Sequence, residues 1–194
     1  MPISLTRTLS AAALSLGLVA GAAHAADDAI KVGTMAGPET DVMQVAKQVA
    51  KEKYGLDVEI IEFTDYVTPN AALADGSLDA NAYQHEPYMR SMVNDRGYDF
   101  AIAGKTFVYP IGAYSAKYDS IDELPDGATI AVPNDPTNEG RALILMDNLG
   151  LITLDDPENL EATPINITEN PHDYSFKEIE AAQMPRVLQD VDMA

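Results

Sequence analysis

The 194-residue sequence contains no cysteine and no tryptophan, only four phenylalanines, and only 12 basic residues against 31 acidic ones. Each scarcity excludes something. Without cysteine there is no disulfide framework, no thiolate metal site and no thiol nucleophile, so stability has to come from a buried core. A formal net charge of -19 repels phosphate backbones and anionic lipid surfaces, which argues against nucleic-acid binding. Beyond residue 25 no apolar run approaches the roughly 20 residues that a membrane-spanning helix needs. Internal repeats, low-complexity tracts and long charge runs are missing too.

What is present begins with an export signature. Arg7 is the sole charge of the first 25 residues, Ala11 to Ala20 form an apolar stretch, and Ala23-His24-Ala25 suits signal cleavage. Residues 1-25 are therefore read as a signal peptide, and the mature chain, expected to start near Ala26, keeps 11 bases and 31 acids.

Periodicity predicts an α/β fold. Ile30 to Met35 reads as a strand, Val42, Val45, Ala46 and Val49 as the apolar stripe of a helix ending at Gly55, and Val58 to Phe63 as a second strand. This βαβ order implies a parallel sheet. Asp65 is placed to cap a short helix from Val67 to Ala74, Leu78 to Tyr83 reads as a third strand, and a helix over Glu86 to Arg96 stops at Gly97. Phe100 to Phe107 is strand-like, and Val108 to Gly112 reads as a hinge between a first lobe, residues 26-109, and a second, residues 110-194. The second lobe is expected to hold a strand at Ala113 to Ser115, a short helix at Ser120 to Leu124, a strand at Thr129 to Val132, a helix from about Asn138 to Leu149, a strand at Tyr174 to Ile179 and a final helix starting at Pro185.

Two segments carry chemistry. Asn81-Ala82-Tyr83-Gln84-His85-Glu86-Pro87-Tyr88 packs aromatic and amide side chains together at the C-terminal end of a predicted strand, where open α/β sheets bind ligands. Tyrosines at a core rim and a hydrogen-bonded structural histidine would account for the same residues. Val132 to Arg141 reads as strand, polar loop and helix start, with Asn138 at or beside the N-cap and Arg141 in the first turn. A cation there opposes the helix dipole unless an anion neutralises both, so a bound carboxylate and pairing with Glu139 or another surface acid stand as equal readings.

The chain resembles the methionine-binding receptors of ABC importers, the MetQ or NlpA family. The resemblance rests on collinear motifs: Lys31-Val32-Gly33, Lys53 to Glu59, Asp65-Tyr66-Val67, Pro69-Asn70, Asp79 to His85, Pro87-Tyr88, Thr106 to Pro110 and Val132 to Asn138. It implies a type II periplasmic-binding-protein architecture of two lobes closing on a ligand, with no catalysis, cofactor or metal. By the same resemblance Tyr66, Tyr83, His85 and Tyr88 would wrap a thioether side chain, Arg141 and Asn138 would hold a carboxylate, and Asn81 would contribute less firmly. Sulfur near aromatic rings is favourable by about 0.3 to 1.5 kcal/mol per contact, consistent with such a cage.

Two departures from the family pattern follow. No cysteine precedes Ala26, so a periplasmic receptor without a lipid anchor is expected where relatives are commonly lipoproteins. The family pattern also continues past Ala194, so the chain is expected to be a fragment whose first lobe lacks cover for its core and exposes an apolar patch. The implied partners are a methionine-like amino acid and an inner-membrane ABC permease, with a monomer expected for the full-length form. Alternatives are a receptor for another apolar amino acid or a methionine-containing dipeptide, a purely structural periplasmic protein and, remotely, an exported hydrolase. The hydrolase lacks G-x-S-x-G, H-E-x-x-H and cysteine.

Overall fold

In the computed structural model, residues 29-194 are described; the expected signal peptide, residues 1-25, lies outside them. Strand β1 (Ile30–Met35) runs into helix α1 (Pro38–Tyr54) and strand β2 (Val58–Phe63), and β1 pairs parallel with β2 from Ile30 opposite Val58 to Met35 opposite Phe63. Alternation and helical spacing thus set this unit as read. Gly55 closes α1 in the left-handed conformation at φ 69°, which an L side chain resists.

Helix α2 (Thr68–Ala74) is preceded by Asp65, whose Oδ1 accepts from the Val67 and Thr68 amides at 2.9 and 2.7 Å. Strand β3 is only Ala80–Asn81, shorter than the six residues expected, and joins β1 in the order β2-β1-β3. Helix α3 (Glu86–Arg96) follows as read.

The expected strands at Phe100 to Phe107 and Ala113 to Ser115 are absent, and no helix or strand lies between Arg96 and Ile121. A strand exists only through a partner, and residues 97-113 find no backbone ladder among the described residues. Tyr114 alone exchanges two 2.8 Å backbone hydrogen bonds with Ala194.

The second half is built on β4 (Thr129–Pro133), helix α4 (Pro136–Asn148), an antiparallel pair β5 (Thr153–Leu154) and β6 (Ile167–Glu169), and β7 (Ser175–Ile179), which pairs parallel with β4. The β5 and β6 pair was not legible in the sequence, and the last helix shrinks to α5 (Met184–Val187). The main core is here: Ile130 and Val132 of β4, Leu143 and Met146 of α4, and Leu154 of β5 are all at most 5 % exposed.

The first half buries far less. Val42, Val45 and Val49, the apolar stripe of α1, are 46, 61 and 37 % exposed.

Candidate functional site

Residues are brought together at the C-terminal ends of the parallel strands. The chain after β1 enters α1 with Glu39 in its first turn, the chain after β2 carries Tyr66, and the chain after β3 carries Tyr83, His85 and Tyr88. From the other half, α4 presents Asn138 and Arg141. A cavity of about 340 Å³ lies between them, and all seven expected residues line it: Asn81, Tyr66, Tyr83, His85, Tyr88, Asn138 and Arg141.

The aromatic wall is locked by its own hydroxyls. Tyr83 and Tyr88 both donate to the Tyr66 carbonyl, at 2.8 and 2.9 Å, which draws the three rings to centroid separations of 6.0 to 6.4 Å. Tyr88 is 2 % exposed, and burial, followed by the Asp135 and Asp65 charges, pushes its phenol up to about 12. Burial likewise raises Tyr83 and Tyr66, so the wall is neutral at physiological pH.

His85 lies 6.4 Å from the Tyr88 ring in a stacked arrangement, and its Nε2 meets Thr137 Oγ1 of α4 at 3.2 Å, a bridge between the two halves. Burial and then the Arg141 charge hold the imidazole below its ordinary range, against the pull of Asp135. A neutral ring is a wall and a hydrogen-bond partner rather than an anion site.

Asn81 donates to Asn70 Oδ1 at 2.9 Å and accepts from Gln84 at 3.2 Å, within an amide network in which Asn70 is 1 % exposed. Its side chain is therefore occupied by its neighbours, and its link to the cavity is positional.

The α4 end corrects the sequence reading. The helix starts at Pro136 and its N-cap is Asp135, whose Oδ1 accepts from the Asn138 amide at 3.0 Å and from Asn138 Nδ2 at 2.8 Å. Aspartate followed by proline is itself a strong start signal, so Asn138 falls inside the first turn and Arg141 in the second. Opposition between Arg141 and the helix dipole is accordingly weaker than expected, since the effect falls off beyond the first turn.

Pairing with Glu139 is not what satisfies Arg141. The guanidinium donates to Asn138 Oδ1 at 2.8 Å and to the Tyr109 carbonyl at 3.3 Å, and no carboxylate reaches it among the described residues. Two neutral acceptors orient a cation and leave its charge uncompensated. Glu139 instead turns into the core, 5 % exposed, where burial and then Glu178 and Asp135 push its carboxyl up to about 7.

The sequence reading missed Glu39, Thr137 and Met184. The first was within reach of it, because the first turn after β1 is also a strand C-terminal end.

The sequence matches the family described as NlpA lipoprotein over residues 30–194. It is 55 % identical over 188 residues to a probable D-methionine-binding lipoprotein MetQ of Vibrio cholerae, covering 96 % of this chain and 70 % of that one. It is 53 % identical over 165 residues to the D-methionine-binding lipoprotein MetQ of Escherichia coli, covering 85 % and 61 %. Among solved structures, a nutrient binding protein from Burkholderia cenocepacia bound to methionine is 54 % identical with a TM-score of 0.82, covering 85 % of this chain and 70 % of that chain. A periplasmic substrate-binding protein of an ABC transporter from Coxiella burnetii gives 53 % and 0.81, covering 85 % and 69 %. The chain thus spans between 60 and 70 % of these and comparable curated relatives.

Proposed function

The chain belongs to the NlpA lipoprotein family, and from that premise we propose that it captures methionine, in the D form, the L form or both, and delivers it to an ABC importer permease of the inner membrane. The fold is that of the periplasmic substrate-binding proteins. One observation carries the ligand reading: a single cavity has a neutral tyrosine and histidine wall on one side and, on the other, a guanidinium without a carboxylate partner among the described residues. That combination suits an amino-acid carboxylate attached to a polarisable apolar tail.

In this reading Arg141, held by Asn138 and the Tyr109 carbonyl, takes the carboxylate, and Tyr66, Tyr83, His85 and Tyr88 surround the thioether. Residues 26-109 and 110-194 act as two lobes, with Val108 to Gly112 as hinge. The His85 to Thr137 contact supports closure, since it spans them beside the cavity. The relatives are named as binding proteins, and no catalytic step is assigned to this chain. A monomeric full-length form is part of the same proposal.

The periplasm is the compartment that fits. The relatives' lipoprotein names run against an untethered form, while the absence of cysteine in the sequence supports one. Release by osmotic shock, as against detergent alone, separates the two.

Thermal-shift titration with L-methionine, D-methionine, leucine and glycyl-methionine tests the ligand. A saturable rise in midpoint, largest for methionine, is expected. A larger rise with leucine or glycyl-methionine would move the reading to another apolar amino acid or a dipeptide, and no rise in the folded chain would end it.

A further inference from the structure

The cavity is lined by one residue of each charge: Arg141 is its only Lys or Arg, and Glu39 its only Asp or Glu, among the described residues. The two meet through Tyr109. Its carbonyl accepts from Arg141 at 3.3 Å, and burial followed by the nearby Glu39 charge raises its phenol above its ordinary range. Glu39 also stands close enough to Tyr66 to be the largest charge effect on it. No cation pairs with Glu39 among the described residues.

Several other side-chain and backbone acceptors around the cavity are engaged. The Tyr66 carbonyl takes two phenols, one for each lone pair, the Asn138 oxygen takes Arg141, and the Asn81 and Gln84 oxygens take neighbouring amides. A ligand ammonium entering this cavity finds one carboxylate among the lining side chains.

We propose that Glu39 is the ammonium-binding pole of the cleft, so that the site selects α-amino acids with a free amino group over their deaminated or N-acylated analogues. This rests on reading the cleft as an amino-acid site. It deepens that reading, because a carboxylate clamp alone would accept any apolar carboxylic acid of suitable shape. With both poles, the zwitterion neutralises Glu39 and Arg141 together.

Calorimetric titration of the chain with methionine, N-acetylmethionine and 4-(methylthio)butanoate, the deaminated analogue, tests the pole. The wild type is expected to bind methionine at least about tenfold tighter than either analogue, the scale of a charge-assisted hydrogen bond. Glu39→Gln should weaken methionine by about that factor while leaving 4-(methylthio)butanoate unchanged or tighter. Glu39→Asp, which keeps the charge, should retain the preference and serves if the glutamine variant fails to fold. Equal wild-type affinities for methionine and the deaminated acid, or full discrimination surviving in Glu39→Gln, would overturn the pole and leave the amino-acid reading standing. A wild type that binds no methionine removes both.

Discussion

Arg141 is the residue on which the cleft's polarity turns. Its guanidinium is oriented by an amide oxygen and a backbone carbonyl, so Arg141→Ala removes the positive charge without stranding a buried carboxylate. Methionine affinity should fall by about 2 to 5 kcal/mol with the thermal midpoint of the free protein nearly unchanged, as read by calorimetry and melting. Unaltered affinity in the folded variant would remove Arg141 from the site. Glu139, two residues earlier, behaves in the opposite way. Its carboxyl titrates near 7 in the fold against 4.5 when unperturbed, so the folded state binds the extra proton. The stability of the protonated form is complete below about pH 4.5 and is lost as pH rises through 7. Glu139→Gln should therefore raise the midpoint at pH 8 by an amount worth about 1 to 3 kcal/mol, and make little difference at pH 5. Melts across that range decide it. The sequence showed the pair of residues and not their division of labour, because helical spacing alone does not say which of two nearby positions faces the cleft and which the core.

Helix α4 joins both functions, and its fit is tight at one position. A Cβ on Gly140 would stand 2.1 Å from the Leu160 carbonyl oxygen and 2.4 Å from its carbon, and backbone cannot step aside cheaply. Gly140→Ala should cost about 2 kcal/mol or more and displace Asn138 and Arg141 with the helix, seen as a lower midpoint together with weaker ligand binding. Losing the cap is milder. Asp135→Ala should cost about 1 kcal/mol in denaturant melts, since it frees the Asn138 amide and also the Asn138 side chain that holds Arg141. Elements whose cause is local were legible: α1 and α3 run from a proline near the start to a left-handed glycine at the end, and β1 and β2 follow their apolar patterns. Elements made by distant pairing were not. β5 and β6 are two and three residues long and exist through each other, while Phe100 to Phe107, strand-like in composition, stays irregular without a partner.

At the scale of the whole molecule the two halves are unequally consolidated. The contiguous core gathers around β4 and α4, whereas the apolar stripe of α1 faces solvent. The chain is expected to bind a hydrophobic dye and to associate as its concentration rises, and Val45→Gln, at 61 % exposure, should reduce both without altering the cleft. Light scattering across a dilution series checks this. By itself the sequence determined the α/β class, the βαβ start, the family and the two segments that face the cleft, because these follow from local periodicity, capping residues and collinear motifs. Only the tertiary structure decided that Glu139 is buried and that Glu39 lies in the same cavity as Arg141. Burial and the meeting of charges are properties of packing between elements far apart in the chain, and no local pattern along it carries them.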